Sequence, residues 1–325
     1  MREIKIFIIV AIVTGVIYWG VEPFAHSQMH AHVESQNFEY AGLEKDSEFK
    51  TIIEDVKAGK GNKDNGAALI GTCAGCHSIK AAGMQAPMDA VSASASYGVN
   101  PPDLSNIASI VNENYLAAFI KNPAKAANVS HKFSDARPHP MYQKAEFMGI
   151  SDENIVDIVA YLKSIAKPLD ELTPKEVFTD ACGRCHAVRY DNKVKGEKWT
   201  QIGQKPKFKY EKDSLAYDIK VIDYQDALTK YMGKLPPDLS IIIRARSEHF
   251  LETFIENPQS QLHGTAMPAV GLSEEGFEKV MQHLENVGDP SKEARSHYGT
   301  YFMIFFAIFA ILAYLWKQSV WRKLH

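Results

Sequence analysis

Two uncharged runs stand near the ends of the chain, and between them apolar residues recur at helical spacing. Ile6 to Val21 runs 16 residues without a charge, with Arg2 and Lys5 before it and Glu22 after. Tyr298 to Trp316 runs 19 uncharged residues, rich in Phe and Ile, between His297 and Lys317. As helices these runs measure about 24 and 28 Å, against a hydrocarbon core of about 30 Å. Ile4 and a snorkelling Lys5 lengthen the first. Tyr298, Tyr301, Tyr314 and Trp316 lie near the ends of the second, where amphipathic rings favour the membrane interface. A cleaved signal peptide is the competing reading of the first run, but it needs small residues after the apolar core, and here Trp19, Glu22, Pro23 and Phe24 follow. The expectation is a signal-anchor helix over 1–22, a transmembrane helix over 298–316 and a short tail over 317–325. Arg2 and Lys5 precede the first span, while Lys317, Arg322 and Lys323 follow the second. The positive-inside rule then puts both ends in the cytoplasm and the chain from Glu22 to His297 on the other side.

The middle of the chain repeats itself. Pro101-Pro102-Asp103-Leu104-Ser105 recurs as Pro236-Pro237-Asp238-Leu239-Ser240, and Asn122-Pro123 as Asn257-Pro258, both shifted by 135. Such a period is read before any fold. Between these markers Tyr115, Leu116, Phe119 and Ile120 correspond to Phe250, Leu251, Phe254 and Ile255. That i, i+1, i+4, i+5 stripe is one face of a helix, and the proline after Asn marks its end. A second helix follows in each copy, capped by Ser151 or Ser273 with acidic residues in its first turn. Its apolar face is Ile155, Ile158, Val159 and Leu162 in one copy, and Phe277, Val280, Met281 and Leu284 in the other. Thr173-Pro174-Lys175-Glu176 is a capping box with Pro at the first helical position, which sets a boundary near Pro168. Neither copy carries a long alternating pattern. The fold class expected is all-α: two tandem helical modules over 65–168 and 169–290, after a linker over 23–64. A linker of about 45 residues would let the first module stand away from the membrane. The second copy holds 26 extra residues between Tyr190 and Met232. From Lys193 to Lys212 there are seven Lys and two Glu, read mainly as a solvated loop.

Composition adds limits. A chain of 325 residues gives a prior of about two domains. Thirty-six Lys plus Arg against 39 Asp plus Glu leave a net charge of −3, so no nucleic-acid partner is expected.

The four cysteines fall in two pairs, each followed at once by histidine: Cys73-Ala74-Gly75-Cys76-His77 and Cys182-Gly183-Arg184-Cys185-His186. C-x-x-C-H is the attachment pattern for c-type haem. Two thiols about one turn apart each form a thioether to a vinyl group, and the next residue offers an imidazole nitrogen to the iron. Zinc and disulfides are the rival readings. Neither gives a reason for a His after both pairs, and for one zinc site the pairs lie 109 residues apart. The expectation is two covalently bound haem c groups, held by Cys73, Cys76, Cys182 and Cys185, with His77 and His186 as proximal iron ligands. Methionine opposite histidine raises the reduction potential. Met267, in the Pro-flanked loop Gly264 to Pro268, is the expected distal ligand of the second site. Met141, beside Pro140, is favoured for the first, with Met148, His131 and His139 as alternatives.

Leu235 to Ser240, followed by Ile241-Ile242-Ile243-Arg244-Ala245-Arg246, resembles the stretch after the haem helix in cytochrome c1, as does the single C-terminal anchor with its basic tail. The tandem modules resemble di-haem cytochromes of the c4 type. Together they resemble the di-haem cytochrome c subunit that replaces cytochrome c1 in the quinol–cytochrome c reductase of some bacteria. That resemblance implies two tandem cytochrome c domains and electron transfer from a Rieske iron–sulfur protein to a cytochrome c or an oxidase. It also implies a cytochrome b partner, a place in the inner membrane with the haem domains in the periplasm, and a propionate contact from Arg246. The first repeat lacks the Ala-Arg pair. With both axial positions filled the iron has no open site, so no catalysis is expected from this chain alone. The rival functions are a free-standing di-haem carrier and, with one axial position open, a di-haem peroxidase.

Overall fold

The computed structural model describes residues 2–29, 33–134, 138–141, 150–190 and 199–324. Helix α1 (Arg2–Val16) continues through a π-helical turn at Ile17–Val21 into α2 (Glu22–Met29). Helices α3 (Lys50–Lys57), α4 (Lys63–Leu69), α5 (Ala90–Tyr97), α6 (Glu113–Lys121) and α7 (Asp152–Ile165) follow. The second half holds α8 (Pro174–Ala181), a two-stranded antiparallel hairpin of β1 (Trp199–Thr200) and β2 (Gly203–Gln204), α9 (Glu211–Met232), α10 (Glu248–Glu256) and α11 (Glu274–Gly288). The long α12 (Lys292–Leu324) ends the chain.

The helices start where short polar side chains take up free backbone donors. Asn62 accepts from the N–H groups of Asp64 and Asn65, Asn112 from Asn114 and Tyr115, Ser151 from Asn154, Ser247 from Phe250 and Ser273 from Gly276. Thr173 and Glu176 form the reciprocal capping box, with Pro174 inside the first turn. In the first module α7 closes on α4 with almost no side chain between them. A Cβ on Gly66 would lie 2.1 Å from the Asp157 carbonyl oxygen, so only glycine fits this crossing. Asp157, itself buried, accepts from Asn62 N–H at 2.6 Å and from the Asn65 side chain. In the second module α11 packs on α8 in the corresponding way.

The two modules share one apolar core. The stretch before α11 lies along the first module: Asn112 N–H donates to Gly271 O at 2.8 Å, Ser273 N–H to Ile110 O at 3.0 Å, and Ala269 N–H to Ala127 O at 3.0 Å. The buried Tyr115 hydroxyl donates to Ala269 O at 2.5 Å. Gly271 has φ +72°, and a Cβ there would meet the Tyr115 ring at 1.9 Å.

Two segments differ from the sequence expectation. Residues 38–57, read as part of a linker, are packed. Phe38, Tyr40, Phe49, Ile52 and Ile53 are buried, and Phe38 stacks on Phe277 of the second module at 4.9 Å. The buried Glu256 carboxylate accepts from the Gln36 and Phe38 N–H groups at 2.8 and 2.7 Å. This segment therefore straps the second module and gives the first no reach. The insertion read as a solvated loop is also largely ordered from Trp199 onward. The hairpin turns Trp199 back onto the second module, pairing with Val188, and α9 packs against α5 of the first through the buried Tyr224 and Leu228.

The terminal helices α1–α2 and α12 are long and apolar enough to cross a membrane, over Glu3–Ser27 and Lys292–Lys323. Lys317 Nζ pairs with Glu3 at 2.8 Å, so the start of the first lies beside the end of the second. Asp289, buried at the root of α12, is ion-paired with Arg295 and, at 3.8 Å, with Arg244.

Candidate haem sites

Each C-x-x-C-H motif sits in a tight turn at the end of a helix. Cys76 and His77 N–H both point to Cys73 O, at 3.1 and 2.9 Å. Cys185 and His186 N–H point to Cys182 O, at 3.1 and 3.0 Å. All four cysteines are free and half-buried. Burial pushes the Cys182 thiol up to about 12 and raises Cys73 and Cys185 as well. They remain thiols at neutral pH, unlike the low-pKa cysteines of redox enzymes.

The Pro-Pro-Asp-Leu-Ser repeat explains itself here. His77 Nδ1 lies 2.9 Å from Pro102 O, and His186 Nδ1 lies 2.8 Å from Pro237 O. A carbonyl can only accept, so Nδ1 carries the proton and Nε2 keeps its lone pair. This is the outer contact that orients a metal-ligating histidine and fixes its tautomer. The loop is held to the motif by Leu104 N–H to Ser78 O at 2.8 Å, and Leu239 N–H to Ala187 O at 3.0 Å. Asp103 and Asp238 each accept from the N–H two residues on, at 2.9 Å in both copies. Burial lowers the pKa of both histidines, which keeps them neutral and able to ligate.

Met267 and Met141 are half-buried and pack on the same core as Cys73 and Cys182. The Met267 loop is shaped by Gln259, which accepts from Gly264 N–H at 2.8 Å and donates to Thr265 O at 2.7 Å. Gly264 takes φ +79°. His139, one of the alternatives to Met141, uses Nδ1 to accept Met141 N–H at 3.2 Å, and its ring packs edge-on to Phe133. Burial, with Lys132 nearby, pushes its pKa down to about 4. His131 is exposed. Met148 lies outside the described residues. Arg246 is exposed and lies over the Phe250 ring at 5.1 Å.

Sequence reasoning missed the residues between the two motifs. Arg184, inside the second motif, donates from Nη1 to Asn100 O at 3.0 Å, next to the first module's Pro101-Pro102. The buried Tyr224 hydroxyl accepts from Asn100 N–H at 3.1 Å and donates to Arg184 O at 2.8 Å. Arg184 Nε is buried with no hydrogen-bond partner among the described residues. Such a donor fits an acidic group that the haem brings, its propionate. The Cys76 thiol points to Tyr97 at 3.5 Å, at the end of α5. Nothing in the sequence gives the direction of a charged residue within C-x-x-C-H. Its only signal was the charge itself. Thiols and an oriented imidazole lone pair at each motif, with the orphaned Arg184 donor in the second, fit haem c.

Comparison with known proteins agrees at a coarser level. Residues 63–166 match the family model for cytochrome c. Over 201 residues the chain is 23% identical to the cytochrome c1 of Allochromatium vinosum, covering 46% of this chain and 82% of that protein. A chain in a solved structure described as hyperthermophilic respiratory Complex III matches at 23% identity and a TM-score of 0.34, over 47% of this chain and 75% of that one. The protein thus carries a cytochrome c domain, with the covalent haem c and the electron-transfer role that such a domain implies.

Proposed function

We propose that this chain is a membrane-anchored di-haem cytochrome c and the cytochrome c1 equivalent of a bacterial quinol–cytochrome c reductase. One observation carries the two-haem reading. The second C-x-x-C-H is built like the matched first one, down to a proline carbonyl on Nδ1 of the following histidine, His186 to Pro237 as His77 to Pro102. Haem c, when bound, supplies an Fe(III)/Fe(II) couple. The residues do the rest. Cys73, Cys76, Cys182 and Cys185 anchor it. His77 and His186 present a fixed lone pair. Met141 and Met267 would each supply a sulfur as the second protein ligand, and no position would then remain for a substrate.

The cytochrome c1 likeness supports a cytochrome b subunit and a Rieske protein as partners, with a cytochrome c or an oxidase downstream. The two terminal apolar helices, with Arg2, Lys5, Lys317, Arg322 and Lys323 flanking them, support an inner-membrane location with the haem modules on the periplasmic side. The second module, which carries the run from Pro236 to Arg246 and joins α12 directly, is the entry point for electrons, and the first module is the exit. Purification of the intact membrane complex tests the assignment. Cytochrome b and Rieske subunits should co-purify in stoichiometric amounts. Recovery of the di-haem chain without them points to a free-standing carrier.

A further inference from the structure

The two haem motifs meet across a single side chain. Arg184 lies between Cys182 and Cys185 of the second motif, yet its guanidinium crosses the module boundary to Asn100 O. Two residues on, Pro102 O holds His77 of the first site. Tyr224 closes the junction from α9, hydrogen-bonded both to Asn100 N–H and to Arg184 O. Among the described residues no carboxylate lies within ion-pairing distance of Arg184, and its Nε is buried and unpartnered. Two acidic groups share its surroundings, Asp103 and Asp180, and Arg184 favours the ionised form of the second. Asp103 is paired with Lys80 at 3.2 Å. Burial, reinforced by the Asp103 charge, pushes Asp180 up to about 6.

The geometry points to Arg184 as a cation shared by the two haem sites, a positioning residue that fixes one motif against the other and raises the reduction potential of both irons together. Reduction adds one electron to an iron. A fixed positive charge nearby favours the electron-rich state, and a partly buried setting strengthens the effect. Because the same side chain joins both proximal loops, the two potentials move together, and neither haem becomes a deep trap for the electron. The inference rests on the di-haem reading above.

The test is a redox titration of the purified full-length chain, made after a haem count on the same sample. A count of one fails the di-haem reading before any variant is made. With two haems, the titration resolves two midpoints. Arg184→Gln is expected to lower both, each by a factor of about three to ten in the reduction equilibrium, where a factor of ten is about 59 mV for one electron. Arg184→Met, uncharged and apolar, carries the same expectation if the Gln variant does not assemble. Arg184→Lys keeps the charge and should leave both midpoints within a factor of about two. A fall in one midpoint only, no fall in either, or a Lys variant as low as the Gln variant would overturn the shared-cation role while leaving the haem count intact.

Discussion

The imidazoles of His77 and His186 owe their chemistry to one hydrogen bond each. A carbonyl on Nδ1 makes the tautomer a property of the fold rather than of the ligand. The two methionine loops are less alike, which gives the methionines separate tests. Met267→Ala should abolish the sulfur-to-iron charge-transfer band of the second haem and lower its potential, since methionine ligation raises it. Difference spectroscopy with a redox titration checks this, and an unchanged band would assign the position to another residue. The same pair of measurements on Met141→Ala decides the first haem. Asp180 gives a pH signature. Its usual carboxylate value of 3.8 rises to about 6 because burial disfavours the charged form, with Asp103 adding to the effect and Arg184 and Lys80 opposing it. The folded state therefore holds the proton more tightly than the unfolded state, and the group costs stability as pH rises from about 4 to about 6. Asp180→Asn removes that cost. It should stabilise the protein by about 1–3 kcal/mol above pH 6 and by nothing below pH 4, as read from unfolding midpoints across that range. At this scale the sequence was legible where chemistry is written into spacing, in the C-x-x-C-H motifs and the Pro-Pro-Asp-Leu-Ser repeat that meets them. It was silent on Arg184, Asn100 and Tyr224, because they meet only through tertiary packing, with 84 residues between Asn100 and Arg184 and 40 between Arg184 and Tyr224.

Helices carry the sites by crossing closely. In the first module α4, which leads into the first motif, is pressed against α7, with Gly66 at the crossing. Gly66→Ala would drive a methyl into the Asp157 carbonyl and separate the two helices. Overpacking of this kind costs about 1–3 kcal/mol, and loss of haem at the first site should accompany a lower melting temperature. Gly71→Ala is the control: its Cβ would meet nothing within 4 Å, so stability and haem content should barely change. The repeated helices and their caps were readable from the apolar stripes and from Ser151, Thr173 and Ser273, because those signals are local. Helix α9 was not. Leu215, Ile219 and Ile222 are exposed while Tyr224 and Leu228 are buried, so no clean apolar face marks it, and the surrounding lysines suggest a loop. What orders α9 is α5, in the other module.

Across the whole molecule, duplication has produced one body. The strap over residues 38–57 and the backbone bonds between 110–112 and 271–273 tie the modules through a common core. A linker reading of 38–57 was natural from position between anchor and motif. Yet Phe38, Phe49, Ile52 and Ile53 have no local partner, and only tertiary packing reveals their use. The outcome suits the proposed electron wire: the two motifs are held in one body, with α12 following the second module. Everything in this account depends on the second motif carrying haem as the first does. Acid–acetone extraction removes haem that is not covalently attached. The haem remaining on the denatured full-length chain can then be counted from its alkaline pyridine spectrum against protein concentration. The expected result is two haem c per chain, falling to one in Cys182→Ala/Cys185→Ala. One haem per chain in the unmodified protein, with no loss in that double variant, would contradict it.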